Sequence, residues 1–254
     1  MILWLDGAHA PLENMRRDAG LLAAAADPDF EPVLRLFGFA PPGITLGRAE
    51  DPARTLDLER CERDGVPWAV RPTGGRAVFH AEEWTYSFAA PLAHPDGAGS
   101  VAGAWERLSG ILVRSLARLG VPAALAPGGR AAGPRPGRSP ACFASTSRHE
   151  VVLEGRKLVG SAQRRTAGAL LQQGSLLLGP GHLRLADYLA APESERARVR
   201  EALRDSAAHA SDLLGAAAPL ERWAAALLEV LPPGTRRVAG EEGLARLRTP
   251  AVWA

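Results

Sequence analysis

Between residues 100 and 119, Trp105, Leu108, Ile111, Leu112, Leu116 and Leu119 recur at the three-to-four-residue spacing of one helix face. On both sides of this segment the pattern changes to short apolar, aromatic and β-branched runs bounded by glycine and proline. A chain that holds both periods packs helices against a sheet. The strand candidates are VLRLFGF at 33–39, ITLGR at 44–48 after a Pro-Pro-Gly turn, and ALLQQGSLLL at 169–178. PWAVRPTGGRAVFHAEEWTYSFAAPL, 67–92, reads as a strand, a tight glycine turn, a strand and a third strand built on WTYSF. HEVVLEGRKLVGSAQ reads as a hairpin turning near Glu154-Gly155. Further helices are expected over 11–26, with Pro11 in the first turn and a stop at Asp27-Pro28, and around 55–64, ending at Gly65. The expected fold is α/β (α+β), a mixed β-sheet flanked by helices, in a single domain over 1–254. A helical C-terminal segment from about 185 to 254 packs on that domain. Residues 126–140, APGGRAAGPRPGRSP, are too rich in Gly, Pro and Arg for regular structure and read as a flexible loop.

Composition narrows the function classes. A net charge of +2 gives no global basic field of the kind a nucleic-acid binder carries. No apolar run approaches the roughly 18 residues needed to span a bilayer. Asp6 interrupts the apolar start MILWLDGAHAP, so no signal peptide is expected. Two cysteines, Cys61 and Cys142, make no disulfide framework, and a reduced, cytoplasmic protein is the simplest reading. Cys61 reads as a packed residue of the helix near 55–64.

Three features carry chemistry. Of 30 lysines and arginines, Lys157 is the one lysine. Arginine stays charged and planar, whereas lysine is a compact cation whose proton can be tuned or transferred. Cys142 sits at the junction between the 126–140 loop and the next strand, where a thiol reaches solvent and substrate. In RPTGGRAVFH, two adjacent glycines let backbone approach a ligand, with Arg71, Arg76 and His80 beside them. An unperturbed thiol is only about 3% thiolate at pH 7, and a nearby cation lowers its pKa by about 1–3 units. A cysteine and a lysine together therefore suit acyl transfer, the lysine also donating to a developing oxyanion. No HxxxH or CxxC spacing offers a metal site.

Taken in order, RPTGGRAVFHAEEWTYSF, ACFASTSRHEVVLEGRKLVGSAQRR and LLQQGSLLL resemble the lipoate–protein ligase A / biotin–protein ligase catalytic family. Within it the octanoyl-[acyl-carrier-protein]:protein N-octanoyltransferases are the nearest kind, and ENMRRD and ITLGR also fit. The resemblance implies that Cys142 is the acyl-thioester nucleophile and that Lys157 lowers its pKa and contacts the acyl carbonyl. It implies that Arg71, Thr73, Gly74, Gly75, Arg76 and His80 line the acyl pocket, with Gly160, Ser161 and Ala162 as the facing wall. The implied reaction is a ping-pong transfer of octanoyl from octanoyl-acyl carrier protein to a lysine of a lipoyl-domain protein. Acceptors would be the glycine cleavage H protein and the lipoyl-bearing component of 2-oxoacid dehydrogenases, with no cofactor, ATP or metal. Arg130, Arg135 and Arg138 would steer the acidic carrier. The alternatives are an ATP-dependent lipoate–protein ligase, an amidotransferase working between lipoyl domains, and an inactive acyl or carrier binder. The chain departs from the family pattern at Gln173, where a histidine is usual, at Ala81, where an acid is usual, and at His149, where a tyrosine is usual.

Overall fold

A computed structural model describes residues 1–126 and 150–246. Its frame is an eight-stranded mixed sheet in the order β11-β1-β2-β6-β10-β9-β8-β7. The strands are β1 (Ile2–His9), β2 (Val33–Phe39), β6 (Glu83–Pro91), β7 (Ala124–Leu125), β8 (Val151–Leu153), β9 (Arg156–Arg165), β10 (Ala169–Leu177) and β11 (Arg236–Ala239). A second sheet of three strands has β3 (Gly43–Leu46) between β4 (Trp68–Val70) and β5 (Val78–His80).

Strand alternation sorts side chains to the two faces of the large sheet. Leu3, Leu5, Leu34, Leu36, Trp84, Tyr86 and Phe88 share one cluster with Leu108, Leu112 and Leu116 of α4 (Val101–Arg118). The four-residue steps along α4 are the stripe read from the sequence. Trp223 of α7 (Leu220–Leu228) belongs to the same cluster. It stacks on Trp84 with ring centroids 5.5 Å apart and donates its indole N–H to Ser115 Oγ at 3.0 Å. The opposite face packs Ile2, Trp4 and Val33 against Leu21 and Leu22 of α1 (Pro11–Ala24). The small sheet packs with the 3-10 segment Pro180–Tyr188 and with Val199 and Leu203 of α5 (Glu193–Ser206).

Several expectations are met within a residue or two: α1, α4, β2, β10 and the 154–155 turn. Others need correction. The helix expected around 55–64 is present but shorter, α3 (Leu58–Arg63), and an unanticipated short helix, α2 (Pro52–Thr55), precedes it; each is begun by an aspartate cap, Asp57 and Asp51. Between them Leu56 bridges to Leu189. Cys61 is buried in α3, as expected, and burial pushes its thiol pKa up. The strands around the double glycine do not pair with each other, because β3 intervenes, parallel to β4 and antiparallel to β5. Within the C-terminal segment Arg236–Ala239 is a strand, and it adds to β1 in parallel. Residues 127–140 of the predicted loop lie outside the described residues.

The face toward α1 also buries charge. Arg35, fully buried, donates to Asp6 at 2.7 Å, to Asp18 at 2.7 Å and to Asn14 Oδ1 at 2.7 Å. Its guanidinium lies 3.9 Å from the centre of the Phe37 ring. Arg17 donates to Asp6 at 2.5 Å and to Glu13 at 2.7 Å. Burial pushes the Asp6 carboxyl pKa up, and the charges of Arg35 and Arg17 oppose it. Removing one partner of such a set leaves unpaired charge in the interior, at a cost of about 3–5 kcal/mol. Arg35→Met should lower stability by about that amount. An unchanged urea midpoint would show that Asp6 and Asp18 find other partners.

Candidate functional site

The two sheets face each other across an apolar pocket that encloses about 420 Å³ of empty space, its open mouth included. From the large sheet come Phe37 and Phe39 of β2, Gly160, Ser161 and Ala162 of β9, and Gln173, Gly174 and Ser175 of β10. Thr45 of β3, with Val78 and His80 of β5, forms the opposite side, while Met15 of α1 and Arg71 also line it. A Cβ at Gly174 would lie 2.5 Å from the Tyr86 ring and 2.8 Å from Gly160 O, so only glycine lets β9, β10 and Tyr86 meet here. Tyr86 OH bonds Ser161 Oγ at 2.8 Å and accepts from Gln172 at 3.0 Å. Its pKa is pushed up to about 12 by burial, so this wall stays neutral.

The glycine loop is held by its own arginine. Arg71 donates to Gly74 O at 2.8 Å, to Arg76 O at 2.8 Å and to Thr45 O at 3.2 Å. Gly75 has φ +91°, and its carbonyl approaches Gly47 so closely that a Cβ on Gly47 would sit 1.9 Å from it. Thr73, fully buried, donates to Gln173 Oε1 at 2.7 Å, and Gln173 Nε2 donates to Asp18 at 2.5 Å. The glutamine that departs from the family pattern thus ties the loop to the buried charges around Arg35.

His80 is fixed on three sides. Phe39 stacks on it with centroids 3.9 Å apart. Its Nδ1 lies 2.6 Å from Glu83 Oε1 and its Nε2 lies 2.7 Å from Thr45 Oγ1. Thr85 and Ser175 donate to the same Glu83 oxygen at 2.6 and 2.9 Å. Ala81 provides no carboxylate beside His80. Glu82 takes a left-handed turn, with φ 52°, and brings Glu83 to the ring instead.

Lys157 is not on an exposed hairpin edge. It is 2% exposed, opposite Val152 of β8, and its ammonium lies 2.6 Å from the buried Glu150 carboxylate. Three residues further along the same strand, about 10 Å at 3.3 Å per residue, the pocket wall begins at Gly160.

Of the residues singled out from the sequence, Arg71, His80, Gly160, Ser161 and Ala162 line the pocket. Thr73 and Gly75 stand behind that lining. Thr73 bonds Gln173, and a Cβ at Gly75 would reach within 3.9 Å of Ala162. The Gly74 and Arg76 carbonyls anchor Arg71. Cys142, His149, Arg130, Arg135 and Arg138 lie outside the described residues. Sequence reasoning missed Thr45, Glu83 and Glu150 as partners of named residues. A buried lysine must have a carboxylate close by, which is the signal that would have pointed to Glu150.

A family model for the lipoyl protein ligase A/B catalytic domain matches residues 10–231. Octanoyltransferase LipM of Kyrpidia tusciae is 39% identical over 220 residues, 85% of this chain and 80% of that protein. Octanoyltransferase LipM of Moorella thermoacetica is 38% identical over 172 residues, 68% of this chain and 63% of that protein. Among solved structures, a bi-partite lipoate protein ligase from Thermoplasma acidophilum shares the fold with a TM-score of 0.71 at 20% identity, covering 96% of this chain and 90% of that one. With the two-sheet pocket and the ordered motifs around it, these likenesses place the chain in the lipoyl protein ligase A/B catalytic domain family.

Proposed function

We propose that this chain is an octanoyltransferase of protein lipoylation, moving an octanoyl group from octanoyl-acyl carrier protein to a lysine of a lipoyl-domain protein such as the glycine cleavage H protein. The observation that carries this reading is strand β9, which carries Lys157, paired with the buried Glu150 just before β8, and continues as the Gly160–Ala162 wall of an apolar pocket. A saturated chain gains about 0.8 kcal/mol for each buried CH₂, so an apolar pocket favours an acyl substrate over a polar one. Two carboxylates, Glu150 and Glu83, lie buried around the site, and each faces a basic side chain.

In the reaction as we read it, the Cys142 thiolate attacks the carrier thioester, and the C–S bond to the carrier breaks with its electron pair on the carrier sulfur, which leaves as a thiolate and takes a proton from water. The Lys157 ammonium, held by Glu150, supplies the positive charge that favours thiolate and stabilises the oxyanion. The acceptor lysine then attacks the octanoyl-Cys142 thioester to form an amide. Thioester to thioester is nearly balanced and thioester to amide is downhill, so neither ATP nor a metal enters.

Mixing the protein with octanoyl-acyl carrier protein in the absence of ATP should add one octanoyl group, seen by intact-protein mass spectrometry. Hydroxylamine should remove it, and Cys142→Ser should not acquire it. Transfer that needs free octanoate or lipoate and ATP would instead establish the ligase reading. Lys157→Arg keeps a charge but swaps a compact ammonium for a planar fork in a closed site. Its kcat/KM should fall by about 10²-fold or more, as for loss of one oxyanion donor, and a near-normal value would remove Lys157 from the chemistry. Glu150→Ala should cost about 3–5 kcal/mol of stability, because the lysine is then buried without its carboxylate. Thermal and urea unfolding measure that loss, and an unchanged midpoint would show that the pair contributes nothing to the fold.

A further inference from the structure

A strand at the border of a sheet leaves a row of backbone N–H and C=O groups unpaired, and folded proteins blunt such borders with charge, cover or extreme shortness. Among the described residues the borders are β11 and β7 of the large sheet and β4 and β5 of the small one. β11 carries Arg236 and Arg237, both exposed. β7 is two residues long. β5 is buried at every position and packs with the 3-10 segment Pro180–Tyr188. β4 differs from all three. It is Trp68-Ala69-Val70, without a charge, and Trp68 and Val70 are 37% and 40% exposed.

The pairing with β3 fixes which way its backbone points. Trp68 lies opposite Ile44 and Val70 opposite Leu46, in parallel. Ile44 N–H donates to Pro67 O and Arg71 N–H to Leu46 O, each at 2.9 Å. In this register Pro67, Ala69 and Arg71 serve β3. Trp68 and Val70 therefore aim their N–H and C=O groups away from it, to a side where no other described strand lies. The Ala69 side chain turns inward onto Met15 and Phe37, which leaves Trp68 and Val70 together on the outer face. Pro11 and Pro67 close over Gly43, where a Cβ would lie 2.6 Å from Pro11 Cγ and 2.4 Å from Pro67 O. That contact sets Leu12, 53% exposed, at the start of the strand.

The residue that follows β4 is Arg71, which lines the pocket, and the glycine loop comes next. We infer that β4 is the docking edge for the acceptor protein, which adds an extended segment to the small sheet and so brings its target lysine to the pocket rim. This rests on the transfer reading above, and only on its acceptor half. Reach separates the two protein substrates. The acceptor nitrogen stands on a four-carbon stem that extends about 6 Å from its own backbone, so the body of the acceptor must rest against the rim. A carrier holds its acyl group at the end of a prosthetic arm and can stand further off. The mode of recognition is strand addition: Trp68 and Val70 supply the backbone bonds, and alternate apolar side chains of the segment cover their side chains. Arg164 donates to Pro72 O at 3.2 Å, which places a cation at the end of the strand and favours an acidic residue on the segment there. A second copy of this chain is a poorer occupant, because a stable interface buries about 1,200 Å² or more and this edge offers two residues.

Hydrogen exchange on the full-length protein reads the edge directly. The amides of Trp68 and Val70 should gain protection when unmodified glycine cleavage H protein is added, with no acyl donor present. Protection by the acyl carrier protein alone, protection that rises with the concentration of this chain alone, or no protection at all would each overturn the assignment. Kinetics supply a second reading. Val70→Pro removes an outward N–H that β3 does not use, and Trp68→Ala removes the side chain beside it. Each should raise KM for the acceptor about tenfold and leave kcat within about twofold. Acylation by octanoyl-acyl carrier protein should be unchanged, as should release of the octanoyl group by hydroxylamine, which is too small to need docking. Trp68→Ala decides the matter if Val70→Pro does not fold. Equal loss in acylation and in transfer to the acceptor would make β4 a structural element only. If the wild-type protein forms no acyl-enzyme, the transfer reading fails by itself, and exchange protection by the acceptor still decides the docking edge.

Discussion

The buried guanidinium of Arg35 organises one whole side of this fold. It joins Asp6 of β1 to Asp18 of α1, and Asp18 also receives Ser87 of β6 and Gln173 of β10. Gln173 in turn accepts from Thr73 in the glycine loop. A continuous polar chain therefore runs from the interior to the rim of the pocket, crossing four strands and a helix. Such a chain is stable only when every member is paired. It therefore fixes the registry of α1 against the sheet more strictly than apolar packing does, since apolar side chains tolerate small slides. The pocket inherits that registry, because Met15 on α1 is part of its lining.

Around the pocket, polarity is divided by location. On the large sheet, the pair Lys157–Glu150 is charged and enclosed. On the small sheet, the groups nearest the cavity are a hydroxyl and an imidazole, with the carboxylate one step behind. Between them lie Phe37, Phe39, Val78 and Ala162, with the Tyr86–Ser161 bond closing the floor without charge.

How much of this could be read from the sequence depends on whether the determinant is local. β2, β10 and α4 are announced by their own apolar spacing. β1 was not anticipated because Asp6 breaks its apolar run, and the reason the break is tolerated lies in Arg35 and Arg17, at least eleven residues away. β11, RRVA, offers one buried side chain, Val238, and takes its strand form from β1 rather than from its own residues. The glycine turn at 74–75 looks like a hairpin because hairpins are the usual use of such turns. The insertion of β3 between its flanking strands is a tertiary event with no local mark. At the site, a solitary lysine was conspicuous by composition and a double glycine by conformation. Glu83 was not conspicuous, because its arrival at His80 needs the left-handed Glu82 before it. Thr45 was not conspicuous either, since a threonine in a strand is ordinary until a histidine is placed beside it.

The parallel pairing of β1 with β11 has a consequence for how the molecule is made. The Trp4 indole bonds the Gly240 carbonyl, a contact across 236 positions of chain, and Ile2 pairs with Arg236. β1 leaves the ribosome 234 positions ahead of its outer neighbour, the separation of Ile2 and Arg236. At about 5–20 residues per second, the interval is on the order of tens of seconds. During that time one border of the growing sheet, carrying Trp4 and Leu5, is open to any extended peptide nearby. Chaperone demand during translation should therefore concentrate on this border. A circularly permuted chain that places β11 directly before β1 would close it from the outset.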